Sequence, residues 1–308
     1  MINKNKPLIS VIIPTYNRAN LLSRAIKSVL NQIFKDFEII VIDDCSIDNT
    51  EEVIKKFQEQ DKRIRYIRHE KNKEAAMTRN TGIKVAKGEY IAFLDSDDEW
   101  LPEKLEKQFA LFRKNEKLGF VSCNALIIDE KSKEGRKYIM PRYKNILEKL
   151  LESNFIDSTS SVVIRKDVLN EVGYFDEKIK IGEDWDMWIR IAQKYEFDFV
   201  KKPLFRYYLH QNNITKTTSN LRKAKDKERI IEKYKDLYKK YPKAYSEQLR
   251  GIGSFYLLSN EKTRARIYLK ESIKYNLFSL KNYLNFLCSF FNVSFYKKII
   301  RLRRKLYQ

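Results

Sequence analysis

The chain has 308 residues, of which 43% are hydrophobic and 13% aromatic, so it can bury one large core or two domains and is not a disordered polymer. Its net charge is +21, but residues 216–308 hold 24 lysines and arginines against 7 aspartates and glutamates, which leaves residues 1–215 a net charge of only +4. The basic character therefore belongs mostly to the C-terminal third.

The cysteines and the apolar runs exclude several classes of protein. The three cysteines have no paired spacing, so neither a disulfide framework nor a zinc ribbon is predicted, and a reducing compartment fits. The first apolar run, residues 8–13, is too short for the hydrophobic region of a signal peptide. The uncharged run at 282–296 is shorter than the roughly 20 residues of a membrane-spanning helix. We therefore expect a cytoplasmic protein without a transmembrane segment.

Strand and helix patterns alternate along the first hundred residues. Strands are predicted at 8–13, 38–43, 64–68 and 90–94, and helices at 20–32, 49–60 and 75–86. Strands separated by helices of this length are typical of βαβ units on a parallel sheet. In such sheets ligands bind beyond the carboxyl ends of the strands.

The later elements are less regular. Their predicted order is a helix from Pro102 to about 115, strands at 119–128 and 161–165, a helix at 184–195, and extended chain at 197–208. Residues 129–160 receive no assignment, since their mixed composition is typical of loops over a binding face. From residue 220 onward the pattern is helical throughout. We therefore predict two domains, over residues 1–217 and 218–308.

The most informative segment is GEYIAFLDSDDEW at residues 88–100, where an apolar strand runs directly into acidic residues. Asp95 and Asp97 are spaced by one residue, so both can face a Mg²⁺ or Mn²⁺ ion held between the protein and phosphate oxygens. Ser96 is the spacer between them, and Asp98 is expected to begin the next helix. The alternative is a solvated acidic loop, because aspartates favour helix N-termini.

The first strand ends in side chains that suit a nucleotide. Pro14 stops the ladder, Thr15 offers a hydroxyl, and the ring of Tyr16 could lie flat against a planar base. The alternative is an ordinary turn between a strand and a helix. At the end of the second strand, either Asp43 or Asp44 could accept a hydrogen bond from a base N–H or a ribose hydroxyl. Capping of the next helix is the competing use of such a carboxylate.

Three further residues complete the candidate site. Arg79 lies in a helix that runs toward the acidic strand end, where a guanidinium could neutralise a diphosphate; alone it would be a surface charge. Asp184 precedes an amphipathic helix and is either its cap or a base at the mouth of a pocket. Of the two histidines, His69 is expected at a surface strand end, and His210 is a candidate for contact with a metal or a phosphate.

Taken together, these segments resemble the inverting glycosyltransferases of family 2, which have the GT-A fold. The resemblance runs from residue 8 to about residue 215 and rests on the strings ISVIIPTYNR, FEIIVIDDCSIDNT, TRNTGIKVAKGEYIAFLDSDDEW and VGYFDEKIKIGEDWDMWIR. It implies a mixed, mainly parallel sheet flanked by helices, followed by an all-helical C-terminal region. The nucleotide-sugar half would be about 1–100 and the acceptor half about 101–217.

The resemblance also implies a role for each candidate residue. The residues assigned to the nucleotide are Pro14, Thr15, Tyr16, Asp44, Arg79 and Ser96. Asp97 and Asp95, with His210 as a further candidate, would hold Mn²⁺ or Mg²⁺. Asp184 would be the catalytic base. Where relatives commonly carry glycine near residue 74, this chain has Glu74.

The implied reaction is the transfer of a sugar, with inversion, from a nucleoside-diphosphate donor to a glycan or lipid-linked acceptor in bacterial surface-polysaccharide synthesis. The donor is expected to be a UDP-sugar, and the class is EC 2.4, of the hexosyltransferase type. Asp184 would deprotonate the acceptor hydroxyl while the cation neutralises the leaving diphosphate. The sequence specifies neither the sugar, nor the acceptor, nor the oligomeric state.

Two other readings of the chain stay open at this point. A nucleic-acid-binding protein would use the basic C-terminal helices and bind in a salt-dependent way, but the sequence has no recognised reader motif, so no nucleic acid is expected as a partner. A nucleotidyltransferase also uses paired carboxylates with a metal, and would release pyrophosphate instead of a nucleoside diphosphate.

The last segment, residues 286–308, combines an aromatic and aliphatic stripe with a cationic face. A helix with this composition can lie in an anionic membrane surface. The equally weighted alternative is that the stripe packs on the catalytic domain while the charges stay solvated. The first reading predicts peripheral association with the inner face of the cell membrane.

Overall fold

The computed structural model describes residues 6–156, 158–211 and 213–306, with side chains described up to residue 302. The chain forms two compact units. The first unit comprises residues 1–144 and 155–210, and the second comprises residues 145–154 and 211–308. The division at residues 217 and 218 that the sequence suggests stays a prediction for the limits of the catalytic domain.

The first unit is built on a nine-stranded mixed sheet. Its strands are β1 (Ile9–Thr15), β2 (Phe37–Asp43), β3 (Ile64–Arg68), β4 (Tyr90–Phe93), β5 (Glu99–Trp100), β6 (Leu118–Asp129), β7 (Gly135–Tyr138), β8 (Val163–Arg165) and β9 (Glu196–Leu209). Their order is β3-β2-β1-β4-β8-β6-β9-β5, with β7 paired to β6. Pairings are parallel from β3 through β4 and between β6 and β9, and β8 is antiparallel to both of its neighbours.

Helices lie between these strands along the chain. In the first unit they are α1 (Ala19–Leu30), α2 (Thr50–Gln60), α3 (Glu74–Val85), α4 (Lys104–Lys114), α6 (Lys166–Val172) and α7 (Glu183–Ala192); α5 (Ile146–Glu152) belongs to the second unit. Every residue of β2 is buried, as expected for a parallel strand covered on both faces. The predicted mixed sheet flanked by helices is confirmed.

The parallel register brings the candidate residues to one edge of the sheet. Thr15, the last residue of β1, lies opposite Asp43, the last residue of β2. On the other side of β1, Ile12 pairs with Phe93 at the end of β4, which leads directly to Asp95. The segments that follow these strands therefore share the carboxyl-end edge at which the sequence predicts the site.

The structure adds elements that the sequence pattern did not reveal. β5, which pairs with β9, has only two residues and is therefore too short for a periodic signal. The seven-residue α6 was also unassigned. The unassigned region 129–160 contains β7, α5 and the start of a 3-10 turn at Thr159–Ser161, so it is not a continuous loop. Residue 157, in this region, lies outside the described residues.

The second unit is helical, which confirms the expectation for the C-terminal region. Besides α5 it contains α8 (Ile214–Thr217), α9 (Asn220–Lys233), α10 (Lys235–Tyr238), α11 (Pro242–Leu258), α12 (Lys262–Tyr275), α13 (Leu280–Cys288) and α14 (Val293–Leu306). The carbonyl of Leu151 in α5 accepts hydrogen bonds from the Tyr238 hydroxyl at 3.0 Å and from Nε2 of Gln248 at 2.5 Å. Across the described residues, no helix has the length and apolar character needed to cross a bilayer.

Candidate active site

The acidic strand end is held by hydroxyl groups and a guanidinium. The backbone N–H of Asp95 donates to Oγ of Ser160 at 3.0 Å, and the Asp95 carboxylate accepts from Oγ1 of Thr159 at 3.2 Å. Nη2 of Arg79 donates to Oδ1 of Asp95 at 2.7 Å. The 3-10 turn at residues 159–161 therefore fixes the position of this carboxylate, and Arg79 balances its charge.

Asp97 lies beside two arginines and a histidine. Its carboxylate accepts from Nε2 of His210 at 2.8 Å and forms an ion pair with Arg18. Its carbonyl accepts from Nη2 of Arg24 at 2.6 Å, and the Arg24 guanidinium lies 3.6 Å from the ring centre of Tyr208. His210 thus contacts one of the predicted metal ligands, and its own contact with a metal or a phosphate stays a prediction. Arg18 and Arg24 were not identified from the sequence, although Arg18 is the last residue of the PTYNR string.

Asp98 has a structural role that differs from the expectation. It is fully buried, accepts from Oγ of Ser160 at 2.6 Å, and has its pKa raised well above the usual range by burial and by the charges of Asp97 and Asp95. The next helix, α4, begins at Lys104, so the expected helix start at Asp98 is wrong. Ser96, between Asp95 and Asp97, is buried.

Arg79 links two parts of the site. Its side chain is buried, and Nη1 donates to Oε1 of Glu183 at 2.9 Å while Nη2 reaches Asp95. Burial alone would lower the pKa of Arg79, but the carboxylates of Asp95, Glu183 and Asp184 raise it above its ordinary value. The guanidinium is therefore charged and internal, which excludes the alternative of a surface charge.

Glu183 and Asp184 form the first turn of α7, after Gly182, whose φ of 89° suits glycine. Asp184 accepts a hydrogen bond from the N–H of Trp185 at 2.7 Å and lies at the positive end of the helix dipole. Burial raises the pKa of Glu183 to about 7, with Arg79 opposing and Asp184 adding to the shift. Glu183 was not singled out from the sequence, since only its contact with Arg79 distinguishes it.

On the predicted nucleotide side of the site, the Tyr16 side chain is partly exposed to solvent and the Thr15 hydroxyl is buried. Tyr16 is 45% exposed just after β1, where its ring is available for stacking. The Thr15 hydroxyl is buried and has no hydrogen-bond partner in the described part of the chain. A buried hydroxyl without a partner costs free energy, and a ligand that bonded to it would remove that cost. Pro14 lies within β1 opposite Ile42, and Thr15 still pairs with Asp43, so the expectation that Pro14 stops the ladder is wrong.

Asp44 holds the loop before α3. Its carboxylate accepts from Nδ1 of His69 and the N–H of Lys73, each at 2.8 Å, and from the N–H of Glu74 at 2.9 Å. His69 is buried, with Nε2 3.0 Å from Oγ1 of Thr81, so its expected surface position is wrong. Glu74 has a φ of 69°, in the left-handed region that favours glycine. Contact of Asp44 with a nucleotide stays a prediction.

Asp97 and His210 bring together two side-chain types that bind divalent cations. Oδ2 of Asp97 and Nε2 of His210 are 2.8 Å apart, the distance of the hydrogen bond between them, so a cation bound by both would have to replace that bond. Within the described ranges, no three His, Cys, Asp or Glu side chains are arranged to hold a metal. Such an ion would therefore need substrate phosphates to complete its shell.

Comparison with known proteins agrees with this geometry. The sequence profile of the family described as "Glycosyl transferase family 2" matches residues 10–173. An Escherichia coli protein, the UDP-Glc:alpha-D-GlcNAc-diphosphoundecaprenol beta-1,3-glucosyltransferase WfgD, is 36% identical over 211 residues, which cover 68% of this chain and 79% of the relative.

Two solved structures share the fold. The S. aureus TarS fragment 1–349 in complex with UDP-GlcNAc matches with a TM-score of 0.69 at 20% identity, covering 87% of this chain and 81% of that one. The mannosyltransferase PcManGT from Pyrobaculum calidifontis, in complex with GDP-Man and Mn²⁺, matches with a TM-score of 0.59 at 16% identity, covering 91% and 78%. At these identities the likeness concerns the fold.

Proposed function

Because the chain belongs to glycosyltransferase family 2 and has the GT-A fold, we propose that it transfers a sugar from a nucleoside-diphosphate donor to a glycan or lipid-linked acceptor in surface-polysaccharide synthesis. The donor is proposed to be a UDP-sugar, as in the WfgD name and the TarS complex. The transfer is a single displacement that inverts the anomeric carbon.

The observation that carries the proposal is the position of Arg79. It donates to Asp95 at the acidic strand end and to Glu183, the residue before Asp184. The buried Arg79 guanidinium thus contacts both Asp95, which is proposed to lie near the diphosphate, and the first turn of α7, which carries the proposed base Asp184. A donor diphosphate needs positive charge at this point, because charge develops on the leaving group as the glycosidic bond breaks.

The chain's own residues account for most of the reaction. Asp184 takes the proton from the acceptor hydroxyl as that oxygen attacks the anomeric carbon. Arg79, Arg18 and Arg24 place cationic groups around the departing diphosphate, and their contacts with aspartates fix their orientation before the donor binds. Tyr16 stacks on the base, while the Thr15 hydroxyl gains the hydrogen-bond partner that it otherwise lacks.

Asp97 and His210, with Asp95 nearby, are the residues proposed to hold Mn²⁺ or Mg²⁺. A bound divalent cation would supply Lewis-acid stabilisation of the leaving diphosphate. The protein contributes one carboxylate and one imidazole in contact with each other. This number of protein ligands is usual for ions held mainly by substrate phosphates.

The proposal also includes a peripheral location on the inner face of the cell membrane, reached through residues 286–308. A lipid-linked acceptor would be found there, as the WfgD name indicates for that relative. Leu287, Phe290, Phe291 and Leu302 in this segment are each at least half exposed. The basic side chains of 303–305 and that of Leu306, which the sequence analysis included, lie outside the described side chains.

The central test is Asp184→Asn, assayed by release of nucleoside diphosphate from a panel of sugar nucleotides with Mn²⁺ or Mg²⁺. We expect kcat to fall by about 10²–10⁴-fold, because the base is lost, while the donor Kd changes little. The matched control is Asp186→Asn on the same helix, whose carboxylate is buried against Arg190 at 3.0 Å. That variant should affect stability more than the chemical step.

Two outcomes would count against the proposal. Full activity of Asp184→Asn would remove the base role from this residue while the family assignment stands. Failure of every donor to turn over, with glycan and lipid-linked acceptors present, would contradict the proposed reaction. Release of pyrophosphate would instead identify a nucleotidyltransferase.

A further inference from the structure

Helix α13, in the second unit, is amphipathic, but its polar side chains are buried and its large apolar side chains are exposed. Its buried positions are Asn282, Asn285 and Cys288. Its exposed large side chains are Leu280, Tyr283, Leu284 and Leu287. These exposed positions recur at the spacing of a single helix face. The helix therefore turns a polar side toward the unit and an apolar side away from it.

Hydrogen bonds fix this orientation. Nδ2 of Asn282 donates to Oγ of Ser246 at 2.8 Å and to the carbonyl of Ser272 at 3.0 Å. Nδ2 of Asn285 donates to Oγ of Ser254 at 3.0 Å. Rotating α13 to bury its leucines would leave these buried amide and hydroxyl groups unpaired, which is costly. The outward leucines are therefore a consequence of specific packing.

The turn before α13 extends the apolar surface. Phe278 is 96% exposed, and Leu277 and Leu280 are 60% and 84% exposed. We call Leu277, Phe278, Leu280, Leu284 and Leu287 the outward apolar face. Single exposed leucines are common, but five exposed apolar side chains on one helix face and the turn before it, one of them an almost fully exposed phenylalanine, indicate a surface that contacts something other than water.

The charges near this face in the sequence indicate which kind of surface it contacts. Lys274 and Lys281 flank this face in the sequence and are exposed, and the sequence has no aspartate or glutamate from residue 272 to residue 308. A second copy of the same face would bring like charges together in a two-fold contact. An anionic lipid surface attracts such a basic segment electrostatically.

We propose that the outward apolar face inserts into the headgroup region of an anionic bilayer, with Phe278 as the leading side chain. The inference rests on the peripheral membrane association proposed above, and it assigns the inserting residues to α13 and the turn before it. The flanking lysines would lie at the level of the lipid phosphates. The helix would lie along the surface, without crossing the membrane.

The test is co-sedimentation of the full chain with vesicles of phosphatidylglycerol and phosphatidylcholine, compared with vesicles of phosphatidylcholine alone. The variant is the double substitution Phe278→Ser and Leu280→Ser, which replaces two exposed side chains and should leave the fold intact. We expect its binding to anionic vesicles to weaken by at least about tenfold, since two apolar side chains lose their burial in lipid. Ile139→Ser, at a 67% exposed position of the first unit, is the matched control and should bind as the intact chain does.

The outcomes separate the inference from the proposals beneath it. Unchanged vesicle binding by the double variant would overturn the inference, and would leave residues 286–308 as the membrane contact. Absence of binding by the intact chain would overturn both the inference and the membrane association. Self-association that the double variant abolishes, without vesicle binding, would identify a second copy as the occupant. Release of nucleoside diphosphate with a soluble acceptor tests the glycosyl transfer independently.

Discussion

Lys104 is fully buried in the first unit, where Nζ donates to Oε1 of Gln108 at 2.7 Å and lies 4.0 Å from the Trp100 ring centre. Burial lowers its pKa to about 8 from a usual value of 10.5. A lysine whose pKa is lower in the folded than in the unfolded state destabilises the fold fully below the folded pKa. That cost disappears as the pH rises through the unfolded pKa.

The prediction is that Lys104→Met stabilises the protein relative to the intact chain in a pH-dependent way. The gain should be largest below about pH 8, reaching roughly 3 kcal/mol, and should shrink toward about pH 10.5. Urea unfolding at a series of pH values measures it. Lys114→Met, at an exposed position of the same helix, is the control. A difference that does not vary between pH 8 and pH 10.5 would contradict the assignment.

His210 gives a second prediction at this scale. His210→Ala should raise the Mn²⁺ concentration for half-maximal activity by about tenfold or more, because Asp97 would lose the imidazole beside it. At saturating Mn²⁺ the change in kcat should be smaller. Titrations of activity with Mn²⁺ at fixed donor concentration measure both effects. An unchanged Mn²⁺ requirement would show that His210 contacts the phosphate or has a structural role.

At the scale of elements, α3 lies against β1 at a glycine. A Cβ at Gly82 would meet Cγ2 of Ile12 at 2.5 Å, which is too close for real atoms. This contact sets how near α3 can approach the sheet. It therefore helps to position Arg79, one turn earlier in the helix.

We expect Gly82→Ala to destabilise the fold by about 1–3 kcal/mol, despite the better helix propensity of alanine, because the buried Ile12 must shift. Ile12→Ala should cost stability alone, and the double substitution should cost less than the sum of the two. Chemical unfolding of the four proteins in a double-mutant cycle measures the coupling. Simple additivity would contradict the close contact.

The elements also show which parts of the architecture a sequence can predict. The limits of β3 agree with the predicted 64–68, because the two isoleucines and the tyrosine of IRYIR interrupt the charged segments on either side. β5 and α6 were missed because two and seven residues are too few for periodicity to distinguish them. Their formation depends on tertiary contacts, such as the pairing of Trp100 with Phe205.

In the candidate site too, local sequence signals were predictable and distant contacts were not. Asp95 and Asp97 could be selected because they follow a strand, and Asp184 and Arg79 because they belong to predicted helices or their starts. All four lie within the strings that resemble the family. Arg18, Arg24 and Glu183 could not be assigned, since their partners are 79, 73 and 104 residues away in sequence. Pairing across such distances depends on the strand order, which single-sequence patterns do not specify.

At the scale of the whole molecule, the uneven charge predicts a difference between two assays. Transfer to a lipid-linked acceptor in anionic vesicles should decline steeply as NaCl rises, because added salt screens the attraction of the basic C-terminal region for the lipid surface. Transfer to a soluble acceptor analogue should be much less sensitive. Measuring both rates across one salt series tests this, and equal sensitivity would contradict a membrane role for these charges.

The contact of Asp97 with Arg18 and His210 has a consequence for the order of events. Asp97 is already paired with the Arg18 guanidinium and in contact with the His210 imidazole, so the proposed metal ion would have to compete with Arg18 for this carboxylate. The displaced guanidinium would then be available to the diphosphate of the proposed donor. Under the proposed function, binding of the ion and binding of the donor would favour each other. Reciprocal linkage requires the donor to strengthen ion binding by the same factor by which the ion strengthens donor binding.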